Sequence, residues 1–568
     1  MRNPFLPLLL ASLAACAGRP DVEPATLVLR NGKVVTVDDA LPAARAVAIR
    51  GYTIAAVGSD ADIQPYIGPA TEVIDLDGKL VIPGFIEGHG HYMGLGRARM
   101  ILDLTTAANF DDIVAMVRDA VAKARPGEWI FGRGWHQEKW DRAPVPNVEG
   151  VPLHAALDSV SPDNPVFLTH ASGHAAFANL AALRAAGVDR NTRNPNGGEF
   201  VKDAKGEPTG LLRETAQGVV SRAASRGGEQ RSAEAVYAEQ KRQVELAGRE
   251  ALEKGVTSFQ DAGSDFATID FLKTLEQNGE LPLRLYVMVR GESPENLEAH
   301  LDEYRLEPEG NDFLTVRSIK QSIDGALGIR GAWLLADYAD LASPGLNTTP
   351  VERIEEISRI AFRHNFQMNI HAIGDRANRE VLNVYEKVFA EDPARTDLRW
   401  RIEHAQHIDP ADVPRFAQLH VLASMQCNHA TSDGPWVFAR LGPERAKSGA
   451  YVWRDLANAG VPINVGTDTP VEDIAPIDNF YSCVTRNQKD GTPFFAEQKM
   501  TREEALKAYT IANAWATFEE NIKGSITVGK LADLTVLDRD IMTVPDDQIR
   551  GTKVVYTIVG GEVRYPAR

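Results

Sequence analysis

"PGFIEGHGHYMGLG", residues 83–96, closes the apolar run "KLVIPGFI" with two histidines separated by one glycine. A short apolar run bounded by proline and glycine reads as a buried strand. Histidines one apart on a strand nominally face opposite sides, so "HGH" alone is weak evidence for a shared task. At a frayed strand end, however, Gly90 lets the backbone turn both rings inward. Seven more strand candidates follow: "GVTSFQDAG", "LRLYVMV", "LTVRSIKQSIDG", "FQMNIHAIGD", "RWRIEHAQHI", "VLASMQCNH" and "PINVGTDTP". They alternate with helix-like stretches, the pattern of βα units, and eight of them fit an α/β chain built as a (β/α)8 TIM barrel.

A barrel collects the C-terminal ends of its strands on one face. His89 and His91 end the first strand, Lys320 lies in the fourth, and His371 ends the fifth. His404 ends the sixth and Asp468 the eighth. Imidazole nitrogen and carboxylate oxygen are ligands of zinc-like ions, so the set reads as a metal site. An ordinary salt-bridged lysine is the alternative for Lys320, and a purely structural ligand is the alternative for Asp468.

Outside the barrel the texture changes. "TLVLRNGKVVTV", "AVAIRGYTIAAVG" and "TEVIDLDGKLVIPG" alternate apolar and polar residues between Asn-Gly, Arg-Gly and Asp-Gly turns, the mark of short antiparallel strands. The same texture returns in "KLADLTVLD" and "KVVYTIVGGEVRY". Residues 26–82 and 523–568 are therefore expected to form one composite β-sandwich around a barrel at 83–522. The stretch from about 92 to 250 far exceeds an ordinary connection. It must hold an insertion that supplies lid and pocket walls. "TREEALKAYTIANAWATFEE" opens on a Thr501/Glu504 capping box and reads as the last long helix.

The chain has 568 residues, 44% of them hydrophobic, which suits a globular protein with a large core. A net charge of −17 argues against a nucleic-acid partner, which favours a basic face. Three cysteines are too few for a disulfide framework. The first sits in "MRNPFLPLLLASLAACAGRPDVEP", whose apolar run is too short to span a bilayer and reads as a signal peptide, residues 1–15. "LAAC" resembles the lipobox of bacterial lipoproteins. That resemblance implies lipidation of Cys16, a tether over 16–25, and an exported chain anchored in the membrane only through its lipid, on the outer-membrane sorting pattern. Conventional cleavage beside an incidental cysteine is the alternative.

The order HxH, Lys, His, His, Asp resembles the amidohydrolase superfamily. "GRGWHQEKW", "ASGHAAFAN", "GEPTGLLRE", "SIDGALG", "IHAIGDRA", "IEHAQ", "GTDTPVE" and "IKGSITVGKLADL" are similar to its family 3 branch, which includes enzymes like N-substituted formamide deformylase. The resemblance implies one or two divalent metals, with His89, His91 and Asp468 on the more buried; zinc is the expected ion, although His and carboxylate ligands also accept iron or manganese. It places His371 and His404 on the second, with a carboxylated Lys320 bridging. It further implies hydrolysis of a small amide-type substrate, with Asp468 as general base and then acid, and a chain that is often oligomeric. An esterase or lactonase using the same site is a second reading, and an inactive binding lipoprotein a third.

Around the metals, His174 resembles a position that touches substrate, with a buried histidine bonded to backbone as the alternative. Trp135 either walls the pocket or packs in a core. Arg330 is a candidate partner for a substrate carboxylate, and Asp324 for orienting a neighbour. His407 is read as lying behind the ligands or exposed. Cys427 stands where the family commonly has proline and reads as a small hydrophobe, with a metal ligand as the alternative.

Overall fold

The protein, described by a computed structural model over residues 22–227 and 232–567, is organised around one parallel sheet of eight strands. These are β1 (Phe85–Gly90), β2 (Val256–Ser264), β3 (Arg284–Val289), β4 (Leu314–Ser322), β5 (Gln367–Ala372), β6 (Arg401–His404), β7 (Leu422–Met425) and β8 (Ile463–Val465). Each pairs with its neighbour in sequence order, as expected of a (β/α)8 barrel. The sheet closes at its rim, where the Asp468 N–H donates to the His89 carbonyl at 2.7 Å and the His91 N–H to the Thr469 carbonyl at 2.7 Å. The approach of β1 to β8 needs a glycine at 88, because a Cβ there would lie 2.4 Å from the Val465 carbonyl oxygen. Asn513, in the helix Ile511–Ala516, seals the seam by donating to the carbonyls of Ile86 at 2.7 Å and Val465 at 2.9 Å.

The two chain ends build two facing sheets. One holds Leu27–Arg30, Ala46–Arg50, Thr53–Gly58 and Glu72–Asp75. The other joins Lys33–Val35, Ala43–Ala44 and Leu80–Pro83 to Leu534–Leu537, Val554–Val559 and Glu562–Tyr565. Antiparallel pairing of Leu80–Pro83 with Leu534–Leu537 ties the N-terminal part to the C-terminal part. Alternation along Leu80–Pro83 serves two cores: Val81 packs inside the sandwich with Leu29, Val47 and Val536, while Leu80 and Ile82 pack into the barrel. The strand then runs straight into β1, so the sandwich fixes where the first histidines begin.

The long connection after β1 folds as a six-stranded sheet. Its order is Gly198–Lys202, Pro208–Glu214, Ala175–Ala178, Val166–His170, Ile130–Trp135, Leu102–Asp103. The helix Ala233–Glu253 returns the chain to β2 and packs against Tyr92–Ala98, whose Tyr92 hydroxyl donates to the Val244 carbonyl at 3.1 Å.

After β7 comes a 15-residue helix, α1 (Cys427–Leu441), and after β8 a 10-residue helix, α2 (Pro476–Thr485). Cys427 is not a free hydrophobe: it forms a buried disulfide with Cys483 of α2. The sequence reading missed the bond because the two cysteines are 56 positions apart and meet only through helix packing. Next, α3 (Arg502–Tyr509) begins at the expected capping box of Thr501 and Glu504. Cys16 lies outside the described residues.

Denatured without reductant, Cys427 and Cys483 are expected to give no free thiol, and two after reduction. Reduction or Cys483→Ser should cost about 2–5 kcal/mol, read as a fall in melting temperature. Two thiols titrating before reduction would contradict the pairing.

Candidate metal centre

The floor of the site is a chain of buried polar groups inside the barrel. Arg401 donates to Gln260 at 2.7 Å and stands 3.8 Å from the Glu403 carboxylate. Glu403 in turn meets His89 Nδ1 at 2.5 Å, which orients the ring so that Nε2 faces away from Glu403. Burial would raise the Glu403 carboxyl, but its contact and hydrogen bond with His89 and the Arg401 and Lys320 charges hold it near 2. Burial, with Lys320 adding to it, brings His89 down to about 4, so the ring is neutral and carries a lone pair at neutral pH. A carboxylate behind a histidine ring is the usual support of a metal-ligating imidazole.

Asp468 is placed with similar care. Glu87 of β1 is wholly buried and accepts the Thr467 N–H at 2.5 Å and its hydroxyl at 3.0 Å. That grip fixes the turn in which Asp468 adopts a left-handed backbone (φ 60°). Non-glycine residues in that region cluster at functional sites, where the surroundings must hold them. Asp468 Oδ1 lies 3.3 Å from His91 Nε2 and 3.6 Å from His89 Nε2. Oδ1 is buried yet makes no hydrogen bond. Two ring nitrogens and a carboxylate oxygen thus converge on one point, an arrangement that a shared cation would satisfy.

Lys320 of β4 is 2% exposed, with Nζ 3.4 Å from His89 Nε2. No carboxylate within 4.0 Å pairs with it among the described residues, so it is not an ordinary salt-bridged lysine. Burial lowers it to about 8. His404 has a left-handed backbone (φ 74°), and its Nδ1 meets Gln426 Oε1 at 2.8 Å. The His371 ring centre is 4.5 Å from that of His404, and its Nε2 is 3.4 Å from Asp324 Oδ1. Burial, reinforced by neighbouring cationic and imidazole groups, keeps both rings well below the ordinary histidine range. The donor set fits a divalent metal: His and Asp atoms, neutral rings, a buried carboxylate, and orphaned nitrogens on His371 and His429.

A cleft of about 570 Å3, counting the part open to solvent, leads to this point. His174 lines it and is held by Glu214, whose Oε2 is 2.8 Å from His174 Nδ1. Burial opposes the charged ring, but Glu214 outweighs it and raises His174. The insertion thus supplies one wall, with His136, His170 and Ser172 beside His174. The loop after β4 and α1 supply the others.

Two expected site residues, Trp135 and Arg330, sit elsewhere, while Asp324 lies against His371. Trp135 packs in the core of the insertion, its indole N–H donating to the Leu168 carbonyl at 2.8 Å, while the adjacent His136 faces the cleft. Arg330 is spent on Asp340, at 2.9 Å, and stands 3.7 Å from Glu149. Asp324 is fully buried and accepts the N–H groups of Ile373, Gly374 and Trp333 at 2.8–3.0 Å, fixing the turn that follows His371. His407 is buried against Tyr451. Sequence reasoning also missed His429 on α1, 3.9 Å from Asp468 Oδ2.

Residues 72–565 match the amidohydrolase family. The chain belongs to that family and is a hydrolase acting on carbon–nitrogen bonds. It is 33% identical to protein LONG AFTER FAR-RED 3 of Arabidopsis thaliana, over 95% of this chain and 92% of that one. It is 30% identical to N-substituted formamide deformylase of Arthrobacter pascens, over 95% and 98%. A solved structure, an uncharacterised metal-dependent hydrolase from Pyrococcus horikoshii, aligns at a TM-score of 0.70 and 26% identity, covering 92% of this chain and 99% of that one.

Replacing Glu403 by Gln removes the carboxylate behind His89, and metal affinity is expected to fall about 10–100-fold, measured by competition with a chromogenic chelator. Unchanged affinity would remove His89 from the ligand set.

Proposed function

We propose that the protein hydrolyses an amide-type C–N bond in a small molecule, an N-acyl amine, N-acyl amino acid or formamide-like compound. The observation that carries this reading is the convergence of His89 Nε2, His91 Nε2 and Asp468 Oδ1, with Oδ1 3.6 and 3.3 Å from the two nitrogens, at the end of an open cleft. These three would hold one ion, with zinc favoured by the ligand types, and Lys320, His371 and His404 stand around a second position. When bound, such ions supply an acidified water and a Lewis acid for the scissile carbonyl.

The chain's own groups do the rest. Asp468 is ionised, because the His91, His89 and His404 rings overcome the effect of burial. It takes the proton released by the attacking water and passes it to the leaving nitrogen, whose departure as an amine requires it. His174 lines the same cleft as Asp468, and Glu214 holds its ring, which suits it to contact the substrate. Lys320, buried and easily neutral, is suited to take up carbon dioxide and become an anionic bridge.

Export and a lipid anchor at Cys16 belong to the same proposal. A buried disulfide supports an oxidising compartment, since such bonds are rare in the cytosol of most organisms.

Turnover of a panel of N-acyl amines and N-acyl amino acids should exceed that of matched esters. Asp468→Asn is expected to lower kcat by about 100- to 10,000-fold while KM moves little. Faster turnover of the esters would replace the amide reading with an esterase. Separately, Cys16→Ser should release the protein from the membrane fraction of the expressing cell; a variant that stays bound would remove the anchor.

A further inference from the structure

We propose that His429 is a metal ligand and that Asp468, not only Lys320, bridges the two ion positions. This inference rests on the metal-hydrolase reading and goes beyond it. Among the described residues, two groups converge closely enough to hold an ion: His89, His91 and Asp468, and His404, His429 and Asp468, with the ligand atoms of each within 4.8 Å of one another. Asp468 belongs to both. Its Oδ1 faces the first pair at 3.3 and 3.6 Å, and its Oδ2 lies 3.9 Å from His429 Nε2. One carboxylate therefore offers one oxygen to each position.

His429 is built for the task. Its residue is 8% exposed, yet Nε2 has no hydrogen-bond partner. A buried imidazole nitrogen left bare is costly, and a cation shared with His404 and Asp468 removes the cost. His404 is tethered at Nδ1 by Gln426, so Nε2 remains as its ligand atom. Gln426 caps α1, which carries His429 in its first turn. That turn is locked to α2 by the Cys427–Cys483 bond, by the Asn428 N–H donating to Asn479 at 2.7 Å, and by the Thr431 and Ser482 hydroxyls at 3.1 Å. The tether of one ligand and the backbone of the other are thus a single rigid element. His371, the residue that the family resemblance places at this position, also has a bare Nε2, 3.4 Å from Asp324 Oδ1, but neither group of converging ligand atoms among the described residues includes it.

The test is zinc stoichiometry and affinity by equilibrium dialysis with elemental analysis, on wild type, His429→Asn, His429→Gln, His371→Asn and His91→Asn. Wild type should bind two equivalents. Both His429 variants should keep the first and bind the second more weakly by at least about 100-fold, more than loss of an outer partner costs. Melting of the metal-free proteins is recorded alongside, and an unchanged melting temperature assigns the loss to the ligand rather than to folding. A second equivalent bound normally by both His429 variants but lost in His371→Asn overturns the inference and leaves the metal-hydrolase reading standing. So does a His429 effect confined to KM, which would make the ring a substrate contact. No zinc in wild type, or none lost in His91→Asn, overturns the metal-hydrolase reading itself.

Discussion

The site depends on one seam. Two main-chain hydrogen bonds, Asp468 to His89 and His91 to Thr469, close β1 on β8. The same short contact holds His89, His91 and Asp468 in mutual reach, although the groups it joins are about 380 positions apart in the chain. Neighbouring constraints serve it. Gly88 lets the strands approach, Asn513 occupies the backbone groups they leave, and Glu87 holds the turn of Asp468 from below. A side chain at residue 88 would push the strands apart and separate the ligands before it disturbed the rest of the barrel.

Buried carboxyl groups are expensive, and this barrel holds three of them by hydrogen bonds. Glu403 orients His89, Glu87 orients the Asp468 turn, and Asp324 fixes the turn behind His371. Each acts on the position of a different ligand. The polar interior is therefore the means by which a rigid scaffold aims side chains at one point. The insertion adds what the barrel lacks, a wall over the cleft carrying His174 on Glu214.

The strand ends were readable because a (β/α)8 barrel makes chain position predict spatial position: His89, His91, Lys320, His371, His404 and Asp468 all end or lie in apolar runs. Trp135 and His136 were harder. Gly134, with φ +109°, accompanies a register shift between Arg133 and Trp135, so alternation along the strand does not say which residue faces the cleft. His429 closes the seventh strand candidate, "VLASMQCNH", but the strand stops at Met425 and His429 lies on the helix that follows, whose direction no periodicity reveals. The cysteine pair and the Arg330–Asp340 contact depend on how separate segments pack, which composition and spacing do not encode.

The most direct measurement is anomalous X-ray scattering from crystals of the zinc-loaded protein, recorded above and below the zinc edge. The account predicts a peak about 2.0–2.2 Å from His89 Nε2, His91 Nε2 and an oxygen of Asp468. Fully loaded crystals with no anomalous peak among those three atoms would contradict it.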